Sequence, residues 1–288
     1  MNPYPRAIAF MLWSVLSFTI MNLLLKYLVD YPTFELVFFR SIGTLVLTTS
    51  ILSVQKVPMW GKHRYLLVAR GLSGATSMVL FFASLNYISL GSAVSLRYVA
   101  PIFTAVIAVL FLKEKMSPLQ WLFLLLSFSG VLLVKGFDPS IGYFGFILIM
   151  LCAAFSALVY IIISKIGTRE HPLVVVHYFM LIATLVGLGG MLLDYVPPKT
   201  EDLLWMLSLG IFGFFGQYFM TKAFQIYNAH LVAPFKYVEV FFTLSFGLFI
   251  FGETYTFLSL LGTFCIITGL VLNVIYKYRT SPKRLKLK

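Results

Sequence analysis

Long apolar runs follow one another along almost the whole chain, separated by short segments that hold most of the charges and prolines. A helix needs about 20 mainly apolar residues to cross a bilayer, whereas strands of a membrane barrel would show alternating segments of about ten. The unbroken runs therefore favour helices. The pattern predicts an all-α integral membrane protein with ten spans, at residues 6–26, 32–54, 64–85, 90–111, 118–135, 142–164, 171–193, 202–223, 229–250 and 257–277.

Composition supports this interpretation and excludes other classes. Of the 288 residues, 60% are hydrophobic and 11% are charged, against roughly 25% charged residues in soluble domains. The formal charge of +12 would suggest a nucleic-acid partner in a soluble protein, but the basic residues lie mostly between apolar runs, so we expect the lipid bilayer instead. Cys152 and Cys265 lie inside such runs and are predicted to be core residues, with no metal, disulfide or cofactor.

The distribution of lysine and arginine predicts the orientation, because cytoplasmic loops are enriched in both. If the N-terminus is cytoplasmic, nearly all the basic residues of the connecting segments and of the helix ends beside them lie on the cytoplasmic side, Arg70 among them. The external segments then carry only Lys26, Lys135 and Lys199. We therefore expect a multi-pass protein of the plasma (inner) membrane with both termini in the cytoplasm.

The chain resembles itself at an offset of 139 residues, with no gap. The rarer residues that coincide include Gly71 with Gly210, Arg97-Tyr98-Val99 with Lys236-Tyr237-Val238, and Glu114 with Glu253. We infer one five-helix repeat in residues 1–139 and a second in residues 140–288, followed by a basic cytoplasmic tail. Because five is odd, the second repeat enters the membrane from the opposite side, and such inverted repeats are characteristic of secondary transporters.

Two repeat-equivalent cations, Arg97 and Lys236, are the first candidate substrate-binding residues. Each is about seven residues into its span, or roughly 10 Å deep. A charge at the centre of a span costs roughly 2.5–3.5 kcal/mol on insertion scales, so it is retained where it faces a cavity or a partner. The alternative is that both side chains extend to the membrane surfaces.

Neighbouring positions extend the candidate site. Thr104 and Thr243 share a helical face of small and polar residues with the two cations, as expected for a cavity lining. Tyr98 and Tyr237 could donate hydrogen bonds, although they lie beside that face. Glu239 follows Lys236 by three residues, so it is either an intrahelical partner or a candidate for proton coupling.

Three further polar or helix-breaking residues are part of the prediction. Pro101 has no N–H to offer the carbonyl of Arg97 and is expected to kink the fourth span as a hinge. Arg40 in the second span either faces the cavity or ties two helices together. Gln217 in the eighth span is a candidate for substrate contact or for a hydrogen bond between helices.

Two segments resemble the paired signature of EamA-type members of the drug/metabolite transporter superfamily. They are Ala100-Pro101-Ile102-Phe103-Thr104-Ala105 through Leu112-Lys113-Glu114-Lys115, and Tyr237-Val238-Glu239-Val240-Phe241 through Phe251-Gly252-Glu253. The stretch from Arg70-Gly71 to Lys115 is similar to the branch that contains the G-type relatives of the nucleotide-sugar carriers. The resemblance implies ten helices, a 5+5 inverted repeat, and a cavity lined mainly by the fourth and ninth spans. Val240 stands where second halves often have proline, so the ninth span is expected to be straighter than the fourth.

The sequence therefore predicts a secondary transporter of a small polar, anionic or zwitterionic metabolite, working by alternating access with a proton or an exchanged solute. Neutralising Arg97 or Lys236 is expected to abolish transport and leave folding intact. The alternatives are an exporter of amphipathic or cationic drug-like compounds, or a membrane protein that does not transport. The spans contain no Cys/His pair, paired carboxylates or metal-ligand spacing, so an enzyme is not expected.

Overall fold

The computed structural model describes residues 4–112, 116–137, 141–226 and 232–280, and these residues are helical apart from short connections. Short 3-10 turns occupy Gly167–Arg169 and Ala233–Tyr237. The α-helices are α1 Tyr4–Tyr27, α2 Thr33–Val54, α3 Arg64–Ser84, α4 Leu90–Arg97, α5 Ala100–Leu112, α6 Pro118–Phe137, α7 Tyr143–Ile166, α8 Pro172–Met191, α9 Thr200–Ile226, α10 Val238–Phe251 and α11 Phe257–Thr280.

Eight of these helices are long and apolar enough to cross a membrane. The predicted fourth span is divided instead between α4 and α5, because the chain tightens at Tyr98 and Val99. Val99 N–H donates to the Leu96 carbonyl and Ile102 N–H to the Val99 carbonyl, at 3.0 and 2.8 Å. Pro101 falls in the first turn of α5, where its missing N–H costs little. The interruption therefore lies at the place where the proline was expected to disturb the helix.

The ninth span is not one continuous α-helix either, and its being straighter than the fourth stays a prediction. The 3-10 turn Ala233–Tyr237 precedes α10, and it contains Pro234 near its start. The break therefore precedes Val240 and does not depend on the residue there. Tyr98 and Tyr237, which occupy equivalent positions in the two repeats, each lie at the break of their span.

Contacts between helices follow a twofold rule that confirms the inverted repeat. The fifth span packs along the tenth (α6 with α11), the fourth packs against the ninth (α4 with α10), and α2 packs against α8. Two other major contacts are equivalent to each other. The helix α7 is the repeat equivalent of α1, and α9 is that of α3, so the contact of α1 with α9 corresponds to the contact of α7 with α3. An arrangement in which each contact maps onto itself or onto its repeat equivalent is what a pseudo-twofold axis in the membrane plane requires.

Close approach of the halves depends on glycine where α2 crosses α9. A Cβ atom added to Gly43 would lie 2.9 Å from the Cα atom of Gly210. Small residues let helix backbones approach in a membrane, where packing replaces the hydrophobic driving force. The two glycines therefore let the backbones of α2 and α9 come into direct contact at this crossing.

Two repeat-equivalent pairs join the loops at opposite ends of the bundle. At one end Glu170 accepts hydrogen bonds from the backbone N–H groups of Lys62 and His63, at 2.7 and 2.6 Å, and lies 2.9 Å from His63 Nδ1. At the other end Tyr31 donates a 2.7 Å hydrogen bond to Asp202. His63 and Asp202 are 139 residues apart, as are Tyr31 and Glu170. The equivalent positions are therefore joined at both ends, by a histidine and a glutamate at one end and by a tyrosine and an aspartate at the other.

Candidate substrate cavity

A cavity of about 150 Å³ lies between the two halves. Residues from both repeats line it, and the described lining contains four basic side chains and no acidic one. The basic residues are Arg40, Arg70, Arg97 and Lys236, and aromatic, sulfur-containing and small polar side chains complete much of the wall, among them Phe18, Met21, Ser77, Met78, Phe81, Cys152, Ser156, Tyr160, Phe179 and Gln217.

Glu239 of α10 is fully buried and is bound by groups from the first half. Its Oε1 lies 3.0 Å from Arg97 Nη2 and 2.9 Å from Asn22 Nδ2, and its Oε2 accepts a 2.6 Å hydrogen bond from the Tyr98 hydroxyl. All three contacts are donors, which suits an ionised carboxylate that can only accept. Arg97 and Glu239 therefore connect the two broken spans across the interface between the repeats.

This pairing decides against an intrahelical ion pair between Lys236 and Glu239. Lys236 lies in the 3-10 turn before α10 begins at Val238, and among the ion pairs of the described residues Glu239 is joined to Arg97 and not to Lys236. The Lys236 Nζ instead lies 5.8 Å from the ring centroids of Phe18 and of Tyr98. These ring faces stabilise the ammonium group in the cavity wall.

Arg40 lines the cavity, which is one of the two positions that the sequence allowed for it. It is 4% exposed, and its Nε lies 3.4 Å from the Met21 sulfur while Nη1 contacts the Met78 sulfur. Thioethers are weak acceptors, so these contacts satisfy the guanidinium poorly. Glu35 lies five residues before Arg40 in α2, but its carboxylate accepts a hydrogen bond from the backbone N–H of Val196.

Arg70 is the cavity residue that the sequence reasoning missed. It is 4% exposed, and its Nε and Nη1 atoms have no hydrogen-bond partner. Its guanidinium carbon lies 4.1 Å from the ring centroid of Phe179, and that of Arg40 lies 5.7 Å from the same centroid. The position 139 residues after Arg70 is Leu209, so the repeat gave no signal. The signal that could have identified Arg70 is its depth, because it lies about six residues, or roughly 9 Å, into its span.

Gln217 lines the cavity, but four other predicted site residues are not among its lining. The rings of Tyr98 and Tyr237 pack edge to face, with centroids 5.2 Å apart. The hydroxyls of Thr104 and Thr243 donate to the carbonyls of Ala100 and Glu239 in their own helices, at 3.0 and 2.9 Å. The helical face drawn from continuous spacing is therefore corrected, because the α-helix is interrupted at Tyr98 and Val99 in the fourth span and begins only at Val238 in the ninth, before each threonine.

The fold and this cavity define a class: a helical integral membrane protein whose two inverted repeats enclose a central site. The family model of the EamA-like transporters matches residues 5–136 and 143–275. The chain therefore belongs to the EamA-like transporter family, within the drug/metabolite transporter superfamily. Members of this family are membrane transporters and not enzymes.

Curated relatives extend over most of the chain. The pseudopaline exporter of Pseudomonas aeruginosa is 31% identical over 265 residues, covering 88% of this chain and 91% of the exporter. The human solute carrier family 35 member G1 is 28% identical, covering 94% and 80% of the two chains. The S-adenosylmethionine uptake transporter of Rickettsia prowazekii is 26% identical, covering 98% and 96%.

A solved crystal structure has the same fold, with a TM-score of 0.71 and 16% sequence identity, covering 96% of this chain and 99% of the other. These similarities support transport of small metabolites as the general activity.

Proposed function

We propose that this protein is a secondary transporter that moves a small anionic or zwitterionic metabolite by alternating access. One observation carries the proposal: the described lining of the central cavity has four basic and no acidic side chains. Cations held at depth in a membrane are costly and mark solute pathways. A solute with negative charge compensates them, whereas a cationic drug-like solute would be repelled.

The interrupted spans supply the moving parts in this proposal. Discontinuous helices at the repeat interface are where transporters of this architecture bind solute, and rocking of one repeat against the other alternates the access. Pro101 and the 3-10 turn Ala233–Tyr237 are the proposed hinges. We place the protein in the plasma (inner) membrane with both termini in the cytoplasm, as the distribution of basic loop residues favours.

Glu239 is the proposed coupling residue, because it joins the two broken spans. Protonation would remove its charge and weaken its hold on Arg97 across the interface. Both exporters and uptake transporters are among the relatives by name, and coupling to a proton gradient would give transport by this chain its direction. If Glu239 takes up the proton, exchange by Glu239→Gln will no longer respond to pH, and an unchanged pH response would exclude this role.

Counterflow in proteoliposomes tests the proposed function. A thermal-shift screen of the purified protein against carboxylates, amino acids, nucleotides and cationic drugs first identifies a ligand, since a ligand that binds the folded state raises its stability. Lys236→Gln is then expected to abolish counterflow of that ligand with little change in the melting temperature. Arg64→Gln is the matched control, because Arg64 is exposed at the start of α3.

The outcome separates the competing functions. Counterflow of an anionic or zwitterionic solute that Lys236→Gln abolishes and Arg64→Gln preserves supports the proposal. Flux without exchange kinetics would indicate a channel. A preference for cationic compounds, or wild-type counterflow in Lys236→Gln, would contradict it.

A further inference from the structure

The cavity contains more positive charge than the protein neutralises. Among the ion pairs of the described residues, Glu239 compensates Arg97, with 3.0 Å between Arg97 Nη2 and Glu239 Oε1. None of these pairs involves Arg40, Arg70 or Lys236. Three cations in a confined, largely apolar wall therefore lack an anionic partner in the described part of the chain.

Arg70 and Arg40 form a cationic cluster at the ring of Phe179. Both guanidinium groups are buried, and the ring face of Phe179 is their shared neighbour. Arg70 and Arg97 are both close enough to Arg40 to repel it electrostatically. A buried guanidinium with unpaired N–H groups is costly unless an anion completes it. Arg70 lines the cavity, and its Nε and Nη1 atoms are buried without a hydrogen-bond partner, so an anion bound beside this guanidinium would compensate its charge.

Gly74 makes room for this cluster. It lies one helical turn after Arg70 on α3 and also lines the cavity. A Cβ atom added to Gly74 would collide with Arg70 Nη1 and lie 3.0 Å from Phe179 Cδ2. The absence of a side chain at this position therefore leaves the space that the guanidinium occupies beside the ring.

Lys236 belongs to a second cationic position. Its Nζ lies near the rings of Phe18 and Tyr98, whereas the two arginines contact Phe179. Apolar side chains such as Met21 and Met78 also line the cavity and would suit a short hydrocarbon segment. The free volume of about 150 Å³ is below the roughly 300–1,000 Å³ of typical ligand pockets, which limits the solute to a compact one.

We propose that Arg40 and Arg70, held around Phe179, bind one carboxylate of a compact dicarboxylate whose second carboxylate approaches Lys236. This assignment rests on the proposed transport function and narrows its substrate class. Carboxylates suit the first position because planar guanidinium groups bind them through paired hydrogen bonds. Two carboxylates also offset most of the uncompensated charge, which a single carboxylate does not.

Ligand-induced thermal shifts of the purified full-length protein test the proposal. The probes are malonate, succinate and glutarate, with butyrate as a monocarboxylate and glycerol 3-phosphate as a phosphate monoester, all at constant ionic strength. At least one dicarboxylate is expected to raise the melting temperature saturably and more than butyrate or glycerol 3-phosphate. An equal or larger shift with butyrate or glycerol 3-phosphate, or no shift with any dicarboxylate, would overturn the assignment.

Variants distinguish ligand binding from a structural role. Arg70→Gln should weaken dicarboxylate binding roughly tenfold or more, the usual effect of losing hydrogen bonds to a charged group. Its melting temperature without ligand should not fall, because the change removes a buried unpaired charge. Gly74→Ala keeps the charge but displaces the guanidinium, and it should also weaken binding, whereas Arg64→Gln should leave binding unchanged. A lower melting temperature and unaltered dicarboxylate affinity in Arg70→Gln would show that Arg70 is structural.

Counterflow separates this inference from the proposed function. If a monoanionic or zwitterionic solute is exchanged and Arg70→Gln does not affect it, the dicarboxylate assignment fails while the transport function stands. If no anionic or zwitterionic solute is exchanged, the transport function itself fails. Succinate counterflow that depends on both Arg70 and Lys236 supports both.

Discussion

The two halves of the molecule share a backbone plan but differ in the chemistry that they bring to the cavity. The first half provides Arg40, Arg70 and Arg97, and 139 positions later the second half has Phe179, Leu209 and Lys236. Matching helices allow two alternative packings to be exchanged, as alternating access requires. The cavity side chains need no such match, because a solute in the centre contacts both halves at once. In the proposed function, the repeated helices provide the movement, and the cavity residues that differ between the halves, such as Arg40 and Arg70, add to recognition of the solute.

A second difference divides the cations of the first half. Arg97 has a carboxylate partner in Glu239, whereas the hydrogen-bond and ring contacts described for the guanidinium groups of Arg40 and Arg70 are with methionine sulfur atoms and the ring of Phe179. Removing a paired charge and removing an unpaired charge should therefore have opposite effects on stability. Arg97 is expected to stabilise the contact between the halves, whereas Arg70 is expected to gain an anionic partner only when the solute binds.

The largest effect is expected from Arg97→Gln, which leaves Glu239 buried without its cation. The pair revises the expectation from sequence that neutralising Arg97 leaves folding intact. Breaking one side of a buried ion pair typically costs about 3–5 kcal/mol, so unfolding in detergent should occur at markedly lower temperature or denaturant concentration. The double variant Arg97→Gln/Glu239→Gln should recover most of this loss. If Arg97→Gln is as stable as Arg64→Gln, the pair does not tie the halves together.

An intermediate effect is expected where the halves cross at glycine. Gly43→Ala places a Cβ atom 2.9 Å from the Cα atom of Gly210, and overpacking of this kind costs about 1–3 kcal/mol. The melting temperature of the purified protein measures it. Gly189→Ala on α8 is the control, because no atom lies within 4 Å of the added Cβ. Equal melting temperatures of the two variants would show that α2 and α9 can move apart at this crossing without loss of stability.

The smallest effect concerns the loop pairs at the two ends, which should respond to opposite changes of pH. Burial alone would raise the pKa of Glu170, but hydrogen bonds from His63 and Lys62 outweigh it and lower that pKa. Glu170 therefore stabilises the fold above its ordinary pKa of about 4.3, and this is lost as the pH falls through the lowered value. The hydrogen bond to Asp202 raises the pKa of Tyr31, so its contribution is present below pH 10 and is lost as the pH rises further.

Melting temperatures measured across pH test this contrast. The deficit of Glu170→Gln relative to the wild type should shrink in acid, and that of Tyr31→Phe should shrink in alkali. Deficits that respond in the same direction, or that do not depend on pH, would show that these contacts do not contribute as described.

The sequence identified Arg97, Lys236 and Arg40 as candidate cavity cations, but not Arg70. Arg97 and Lys236 stood out because equivalent positions both carry a charge. Arg70 has leucine as its counterpart and was counted among the basic residues on the cytoplasmic side. The threonine positions were misplaced for a different reason. Helical spacing projects a face correctly only along an unbroken helix, and both spans are interrupted.

The sequence by itself determined the ten spans, the inverted five-helix repeat and the presence of charges at depth. Hydrophobicity, length and periodicity are properties of each segment, so they can be read from the sequence one segment at a time. Only the tertiary structure decided which charges are compensated, because Arg97 and Glu239 are 142 residues apart in sequence and Arg70 shares Phe179 with Arg40. Electrostatic compensation depends on distances of a few ångströms between segments, which no local pattern specifies.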